Sequence, residues 1–459
     1  MATYDAIIIG TGQAGPSLAR RLADAGQKVA IVERGRFGGT CVNTGCTPTK
    51  TLVASAYAAH VARRGADYGF TIGNGGEVLV DMKRVKARKD HVAGLSSQAV
   101  ERSLRNHNNV TVCQGHARFL SAREVEVGAE ILRAERIFIN VGGRALVSGI
   151  SGLDQVDYLT NSSMVDVDVL PRHLLVVGGS YIGLEFGQIY RRFGSAVTVV
   201  EMGPRLLSRE DADVSEAVTA FLDREGVAIR TDAKCLHVSR RDGEIVMGLD
   251  CEQGAREISG SHLLIATGRR PNTDDLGLDR AGVKQNPRGF IEVDDALSTN
   301  VPGIWALGDC NGRGAFTHTA YNDFEIVAAN LLDGEDRKVS DRIPAYALYT
   351  DPPLGRAGMT ETEVRRSGRR ALVGRIAMED VSRAFEKGET DGFMKILVDA
   401  ESKKILGASI LGVGGDEAIH CILDVMYSGK TYTTLQRAMH IHPTVSELIP
   451  TLLGDLKQL

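Results

Sequence analysis

Residues 6–15 read AIIIGTGQAG, a short apolar run that leads into three closely spaced glycines. The apolar run predicts a buried strand, residues 16 to about 25 predict a helix, and residues 28–32 predict a second strand that ends at Glu33. The glycines allow a tight turn and a close approach of a pyrophosphate to the helix N-terminus, and an acid ending the second strand accepts a ribose hydroxyl. The pattern therefore predicts a βαβ unit that binds a dinucleotide through Gly10, Gly12, Gly15 and Glu33.

The same pattern recurs in residues 174–201, where a predicted strand leads into GGSYIG and a predicted helix leads to a second strand. Ser180 stands at the middle glycine position, while Gly178 and Gly183 keep the required spacing. Glu201 ends the second strand, as the acid does in the first repeat. Two such units in one chain predict two dinucleotides, one of which can be held tightly while the other exchanges.

Three further segments are predicted strands that end in glycine turns. Residues 137–143 and 263–272 close the first and second units, and residues 303–309 follow later. Any one of them also fits a buried strand and a turn, but all three in this order support the dinucleotide interpretation. The carboxylate of Asp309, which ends the third segment, can bind a ribityl or ribose hydroxyl. The nucleotide-binding residues expected in these segments are Asn140, Gly142, Gly268 and Asp309.

Two cysteines lie between the repeats, where residues 38–50 read GGTCVNTGCTPTK. An alanine-rich helix is expected over residues 51–62, so Cys41 and Cys46 are placed at or in its first turns. There their Cα atoms can approach within about 4.4–6.8 Å, and the helix N-terminus lowers the pKa of a thiol. This arrangement suits a disulfide that opens and closes during turnover. A static bridge and two unrelated buried thiols remain alternatives at this point.

Composition excludes several classes of function. The 459 residues are 43% hydrophobic and 24% charged, with a net charge of -4, so neither nucleic acid nor an anionic membrane is an expected partner. No apolar run approaches the roughly 18 residues of a membrane span, and no signal peptide precedes the first strand. The count of seven cysteines is odd, which does not fit a secreted disulfide framework. A cytoplasmic location is expected, where a close cysteine pair is more often catalytic. The five isolated cysteines are Cys113, Cys235, Cys251, Cys310 and Cys421.

The composition changes near residue 343, where Pro344, Pro352 and Pro353 are interpreted as a linker. Beyond it the pattern predicts a helix over residues 360–367, strands over 393–399 and 404–411, and a helix over 416–429. These elements predict a separate C-terminal α+β unit.

Residues 440–447 read HIHPTVSE. Glu447 can accept the imidazole N–H of His442 and raise its basicity, as in sites that pair a base with an orienting acid. A two-histidine metal site with His440, or ordinary loop histidines, are the alternatives.

Together these motifs resemble those of the flavoprotein disulfide reductases, a family that includes lipoamide dehydrogenase, glutathione reductase and mercuric reductase. The resemblance covers essentially the whole chain. It implies an α/β fold with two Rossmann-like dinucleotide-binding domains, for FAD and NAD(P), and a C-terminal α+β dimerisation domain. The implied limits are 1–147 and 271–342 for the FAD-binding and central parts, 148–270 for NAD(P) and 343–459 for dimerisation.

The resemblance also implies a role for each residue near the cysteines. Cys41 would be the interchange thiol that meets substrate, and Cys46 would lie against the flavin and form a charge-transfer complex with it. Lys50 would lie near flavin N5 and pair with Glu185. Tyr181 matches the aromatic gate over the nicotinamide pocket.

The implied acid/base is His442, paired with Glu447 and placed in the active site of the other subunit, so that activity requires a homodimer. Electrons would pass from NAD(P)H through FAD to the Cys41–Cys46 disulfide, and on to a disulfide in a small molecule or a lipoyl-type carrier protein. The FAD-binding residues implied by the resemblance are Glu33, Lys50, Asn140, Gly142 and Asp309.

Two other functions remain open. Thr47, Thr49 and residues 316–324 look closer to mercuric reductases, so a metal-ion reductase is the main alternative. Against it, the chain ends in GDLKQL without a cysteine pair, and it keeps His442 and Glu447. An oxidant-responsive flavoprotein is the second alternative, because a low-pKa thiol beside a resolving cysteine is also the chemistry of a sensor.

NADH is the expected nucleotide, with NADPH less favoured. Glu201 can accept hydrogen bonds from both hydroxyls of an adenosine ribose, and the same carboxylate repels a 2′-phosphate. Arg205 lies four residues further on, in a turn that Pro204 stiffens.

Overall fold

The computed structural model describes residues 1–72, 77–147, 149–250 and 256–459. Cys251 lies outside these residues, and so does Ser148, the first residue of the predicted second domain. The side chain of Cys235 is also outside the described part. Among the described residues, no helix is long and apolar enough to cross a membrane.

The first part of the chain alternates strands and helices around a parallel sheet. Strand β1 pairs in parallel with β2 on one side and with β6 on the other, and β2 pairs with β3, while β4 and β5 extend the sheet as an antiparallel hairpin. Ile7, Ile8 and Ile31 are fully buried in its centre. The elements are β1 (Ala2–Ile9), α1 (Ala14–Asp24), β2 (Val29–Glu33), α2 (Gly39–Asn43), α3 (Cys46–Arg63), α4 (Met82–Arg105), β3 (Val110–Gln114), β4 (Ala117–Ser121), β5 (Glu124–Val127), β6 (Glu130–Ile139) and β7 (Gly143–Ala145).

The second part repeats this plan in a smaller parallel sheet of order β10-β9-β8-β14, with a three-stranded antiparallel sheet of β11, β12 and β13. The chain then returns to the first sheet, where β16 pairs in parallel with β6. The elements are α5 (Asn161–Met164), β8 (His173–Val177), α6 (Tyr181–Phe193), β9 (Ala196–Val200), α7 (Ala212–Arg224), β10 (Val227–Arg230), β11 (Lys234–Arg241), β12 (Glu244–Asp250), β13 (Glu257–Gly260), β14 (His262–Ile265), β15 (Arg269–Pro271), β16 (Ile304–Ala306) and α8 (Thr317–Ala328).

The third part is an antiparallel sheet of order β17-β18-β21-β20-β19-β22, called the C-terminal sheet below. Buried apolar side chains of β20 and β21 pack against α11. The elements are β17 (Ala345–Leu348), β18 (Leu354–Gly358), α9 (Glu361–Arg366), β19 (Ala371–Ala377), α10 (Ser382–Glu386), β20 (Phe393–Asp399), β21 (Ile405–Leu411), α11 (Gly415–Tyr427), α12 (Thr433–Gln436), α13 (Ile449–Leu452) and β22 (Lys457–Gln458).

The predicted strands and helices of this part are present, but the interpretation of its prolines as a linker is wrong. Pro344 immediately precedes β17, and Pro352 and Pro353 immediately precede β18, so the segment forms a hairpin of the C-terminal sheet. Proline has no N–H to donate to a ladder and is therefore found just before a strand. The same residue type marks a linker or a strand start, and the sequence alone does not separate them.

The first glycine of each repeat is required by a close backbone approach. Gly10 has φ +105°, and a Cβ there would lie 2.3 Å from the carbonyl oxygen of Asn140, just after β6. Gly178 has φ +116°, and a Cβ there would lie 2.4 Å from the carbonyl oxygen of Ala266, just after β14. Any other residue would push apart the neighbouring strands whose ends form each turn.

Buried ion pairs hold the second parallel sheet against the C-terminal sheet. The Lys395 ammonium on β20 lies 3.1 Å from Asp211 and 2.9 Å from Asp213, and its side chain is only 2% exposed. Asp211 also accepts hydrogen bonds from the backbone of the first turn of α9. The Arg192 guanidinium on α6 similarly binds Asp351, which precedes β18. Removing one partner of such a pair typically costs about 3–5 kcal/mol, so these pairs fix the orientation of the two parts.

Candidate active site

The two cysteines of residues 38–50 lie on consecutive helices. Cys46 is the first residue of α3, as expected, whereas Cys41 lies in the separate helix α2. The break falls at Gly45, which has the non-helical dihedrals φ -130° and ψ -117°. A Cβ on Gly45 would lie 2.9 Å from the carbonyl oxygen of Thr40, so glycine lets the two helices meet closely. Both cysteines are free thiols, Cys41 half-buried and Cys46 exposed.

The pair is electrostatically asymmetric. A hydrogen bond from Cys41 is the main cause that lowers the pKa of Cys46 to about 6, with smaller contributions from Thr317 and from the Lys50 ammonium. The Thr317 hydroxyl lies 3.2 Å from the Cys46 sulfur. The same hydrogen bond, together with burial, raises the pKa of Cys41 well above its ordinary value. The reduced pair therefore carries a thiolate on Cys46 and a proton on Cys41 at neutral pH.

This asymmetry predicts opposite behaviour of the two serine variants on pH titration. In Cys41→Ser, the serine hydroxyl still donates to the remaining sulfur, so ultraviolet thiolate absorbance should appear as the pH rises through about 6. In Cys46→Ser the Cys46 thiolate that contributes most to raising the pKa of Cys41 is gone, but burial still raises that pKa, so the remaining thiol should stay protonated at pH 7.

The difference spectrum of the two reduced variants between pH 5 and 8 measures this directly, because the other cysteines are common to both. Adding Thr317→Val to Cys41→Ser removes a hydroxyl that lowers the pKa of Cys46, and the midpoint should move upward. Thiolate absorbance of equal size in both serine variants at pH 7 would contradict the assignment.

Lys50 connects the cysteine helix to the second repeat. It lies one helical turn after Cys46 on α3, and its ammonium is 2.7 Å from the carboxylate of Glu185 on α6. Glu185 is buried and also accepts a hydrogen bond of 3.0 Å from the backbone N–H of Tyr349. The Tyr349 ring lies under the ammonium, 4.6 Å from its centroid. A fixed positive charge is thus held beside the thiolate.

The first glycine turn fits a bound dinucleotide. Helix α1 begins just after Gly10 and Gly12, and Gly15 lies within its first turn. Within the described part of the chain, no side chain caps the N-terminus of this helix. Its free N–H groups therefore suit a pyrophosphate. The carboxylate of Glu33 faces this turn and bonds Thr11 and the Gly35 N–H. An open cavity of about 320 Å³, with room for part of an adenosine, lies beside it and is lined by residues that include Gly35, Phe37 and Gln114.

The other residues predicted to bind the first dinucleotide surround the same turn. The Asn140 amide donates to the carbonyl oxygens of Gly10 and Gly12, which fixes the loop. Gly142 follows β6 with φ +63°. Asp309 lies just after β16, and burial raises the pKa of its carboxyl although Arg269 is 3.3 Å away. A partly desolvated carboxylate at this position fits a hydroxyl donor such as that of a ribityl chain.

The second glycine turn has the same features. Glu201 accepts hydrogen bonds of 2.7 Å from Gly179 N–H and 2.8 Å from Gly203 N–H, so its carboxylate is held at the turn. Arg205 instead donates to the backbone carbonyls of residues 208 and 210. Gly178 and Gly183 pack closely in this turn, and a Cβ on Gly183 would lie 2.0 Å from the carbonyl oxygen of Gly178. Gly268 follows β14 with φ +132°.

Tyr181, the first residue of α6, belongs to an aromatic cluster. Its ring meets Tyr346 with a centroid distance of 5.6 Å and Phe316 with one of 6.4 Å. Phe316 immediately precedes Thr317, the residue that contacts Cys46. Tyr181 therefore lies between the second glycine turn and the cysteine pair.

His442 and Glu447 form a pair at the C-terminal end of the chain. The imidazole Nδ1 lies 2.9 Å from a carboxylate oxygen of Glu447, and the His442 side chain is 73% exposed. Among the described residues, His442 forms no hydrogen bond with either cysteine of its own chain. Met439 and Ile441, which precede it in sequence, are 98% and 79% exposed, so large apolar side chains lie on the surface of the same segment.

Sequence reasoning missed the residues that contact the predicted site from distant parts of the chain. Thr317 lies in the stretch 316–324 that looks closer to mercuric reductases, and Glu210 and Tyr346 belong to no local motif. Residues 316–319 read FTHT, and the hydroxyl side chains of this stretch are the one sequence signal for Thr317.

The chain matches two family models. Residues 4–323 match the pyridine nucleotide-disulphide oxidoreductase model, and residues 344–453 match the dimerisation domain of the same family.

Three similar proteins cover nearly the whole chain. RclA of Escherichia coli (strain K12), described as a probable pyridine nucleotide-disulfide oxidoreductase, is 34% identical over 100% of both chains. Its solved structure as a Cu(II) complex, described as an HOCl-induced flavoprotein disulfide reductase, matches with a TM-score of 0.89 over 98% of this chain and 99% of that one. Mercuric reductase of Streptomyces lividans and dihydrolipoyl dehydrogenase of Thermus scotoductus are each 34% identical, over 97% of this chain and 94% and 96% of theirs.

These matches confirm the predicted fold class and the predicted family. The enzyme depends on FAD and a pyridine nucleotide and acts on sulfur groups. The chain belongs to the class I pyridine nucleotide-disulfide oxidoreductase family.

Proposed function

We propose that the chain is an NADH-dependent disulfide reductase in which Cys41 and Cys46 form the redox-active pair. The observation that carries this proposal is the asymmetric dithiol, with its thiolate on Cys46 beside the Lys50–Glu185 ion pair. FAD, when bound, supplies two-electron transfer between the nicotinamide and the cysteine pair. In the full reaction NADH gives two electrons and a proton, solvent gives a second proton, the substrate S–S bond breaks and two thiols form.

Cys41 is the thiol that attacks the substrate disulfide. Because its pKa is raised, it needs a base that removes its proton during the attack. His442, oriented by Glu447 and exposed on its own chain, is suited to serve that role for a second copy. The partner subunit's His442 would then take the Cys41 proton and return it to the leaving thiol.

A homodimer is therefore part of the proposal. Residues 344–453 match the dimerisation domain of the family, and this match supports a homodimer. The exposed apolar side chains beside His442 support it as well. The domain limits 1–147, 148–270, 271–342 and 343–459 stay proposals, supported by the separation of the first parallel sheet, the second parallel sheet and the C-terminal sheet. The free thiols of Cys113, Cys310 and Cys421 support a reducing, cytoplasmic compartment.

NADH is expected to give a kcat/KM at least about tenfold higher than NADPH, since the fixed Glu201 carboxylate repels a 2′-phosphate. Arg205, which binds backbone carbonyls, is not directed at that phosphate. Glu201→Gln should shrink the ratio by raising the value for NADPH. Steady-state kinetics with both nucleotides measure it, and a higher value for NADPH with the parent enzyme would show that this argument is wrong.

A metal-ion reductase is the second candidate, because the matched relatives include a mercuric reductase and the Cu(II) complex of RclA. Thiolates are soft ligands that suit such ions. Among the described residues, no group of three or more His, Cys, Asp or Glu side chains could hold a metal ion. In this candidate function the ion is a substrate of the cysteine pair.

The two candidates are separated by their acceptors. Anaerobic NADH oxidation should be supported by lipoamide or another disulfide and depend on His442, since thiol–disulfide exchange requires proton transfer. Turnover with Hg(II) or Cu(II) alone, and none with any disulfide tested, would favour the metal-ion reductase.

A further inference from the structure

The hydroxyl of Tyr181 is bound to a buried carboxylate. It donates a hydrogen bond of 3.0 Å to Oε1 of Glu210, which lies just before α7 and is 2% exposed. Tyr346 on β17 donates to the same oxygen at 2.6 Å. Burial raises the pKa of both phenols, so both remain protonated donors. One carboxylate oxygen therefore holds two tyrosines from different parts of the fold.

The other carboxylate oxygen of Glu210, Oε2, accepts no hydrogen bond from the described residues. It is buried, and Nη2 of Arg356 on β18 is likewise buried without a hydrogen-bond partner among these residues. The Arg356 Nε lies 3.9 Å from this oxygen, too far for a hydrogen bond, and the side chain is 1% exposed. Arg356 is held by Ser409, to which its Nη1 donates at 2.6 Å. Glu210 thus has a second partner that a small rotation of its side chain would reach.

Tyr181 lies where the reactive end of the nucleotide must pass. The second glycine turn precedes α6, and the Tyr181 ring packs on Phe316 next to Thr317 and Cys46. Because the ring lies directly against the N-terminus of α6, a nicotinamide that extends from this turn across the position of the ring displaces it. Any interaction that holds Tyr181 in place opposes nucleotide binding, because the nucleotide binds only the displaced arrangement.

We propose that Glu210 is a positioning residue that holds Tyr181 closed over the nicotinamide site, and that Tyr346 of the C-terminal sheet keeps Glu210 in the holding position. This inference rests on the proposed function, since it takes the second repeat as the NADH site. Without the Tyr346 hydroxyl, Glu210 turns towards Arg356 and its bond to Tyr181 weakens. The C-terminal sheet thereby sets the affinity for the nucleotide through a residue outside the nucleotide-binding repeat.

The test is calorimetric titration of the FAD-loaded enzyme with NAD⁺, which binds without reducing it. Tyr181→Phe and Tyr346→Phe should each bind NAD⁺ about 10- to 150-fold more tightly than the parent, the range for losing one hydrogen bond to a charged group. In stopped-flow experiments with NADH, Tyr346→Phe should lower the half-saturating concentration and leave the limiting rate of flavin reduction unchanged.

Tyr190→Phe is the matched control. Tyr190 lies on the same helix, is fully buried, and donates to the backbone carbonyl of Met164 instead of Glu210. Its removal should leave NAD⁺ affinity at the parental value, and comparison of the three melting temperatures reports any general destabilisation.

The outcomes are distinct. Parental or weaker NAD⁺ binding by both Tyr181→Phe and Tyr346→Phe would overturn the inference while leaving the proposed function intact. If the parent enzyme neither binds NAD⁺ nor is reduced by NADH, the proposed function fails, and the inference fails with it.

Discussion

Replacing either Cys41 or Cys46 by serine is expected to lower disulfide turnover by at least about 10³-fold, because each sulfur is needed to form or break the S–S bond. The two variants should differ in their spectra. The charge-transfer absorbance between thiolate and flavin should survive in Cys41→Ser, which keeps the low-pKa sulfur, and vanish in Cys46→Ser. Flavin reduction by NADH should stay fast in both. Steady-state assays and anaerobic absorbance spectra measure the two effects.

Cys421→Ser is the matched control. This free thiol on α11 donates to the carbonyl of Ala418 and is distant in sequence from the pair, so its loss should leave turnover at the parental level. Persistence of the band in both active-site variants would show that the roles of Cys41 and Cys46 are assigned wrongly.

Replacing His442 by alanine is expected to lower disulfide turnover by about 10²–10⁴-fold, the usual contribution of a positioned acid/base. Flavin reduction by NADH should be unaffected, since that step does not need the Cys41 proton. Glu447→Gln should fall between His442→Ala and the parent, because a glutamine can still orient the imidazole but gives up its charge.

His440→Ala is the control for position and residue type. This imidazole lies two residues earlier and is half-buried, and its hydrogen bond goes to the carbonyl of Ala438. Its loss should leave turnover nearly unchanged. Unchanged disulfide turnover in His442→Ala would instead favour the metal-ion or oxidant-responsive alternative.

The fold could be predicted because its key features are local in sequence. Gly10 and Gly178 each follow a buried strand at a position where any Cβ would collide with the neighbouring strand. The glycine spacing, the preceding strand and the acid at the end of the second strand therefore each predict the same turn. Such agreement among nearby residues is what makes a pattern reliable.

The prolines near residue 350 and the break between α2 and α3 were not predictable in the same way. Proline is compatible with both a linker and a strand start, and only the partner strand β21 decides between them. Cys41 and Cys46 fall in different helices because Gly45 adopts non-helical dihedrals between them.

The contacts that shape the site from a distance were the least predictable. Thr317 meets Cys46 across 271 positions of sequence, and Tyr346 meets Glu210 across 136. No spacing rule connects residues so far apart. The start of α8 brings Thr317 to Cys46, and the packing of the C-terminal sheet against the second repeat brings Tyr346 to Glu210. The pairing of Lys50 with Glu185 could be anticipated only through the family resemblance.

The most direct test of the central claim is an anaerobic count of reactive thiols before and after one equivalent of NADH. If electrons pass from NADH to the Cys41–Cys46 disulfide, the oxidised parent enzyme should gain two thiols per chain. Cys41→Ser and Cys46→Ser should gain none. Reduction of the flavin by NADH with no gain of thiols in the parent would contradict the account.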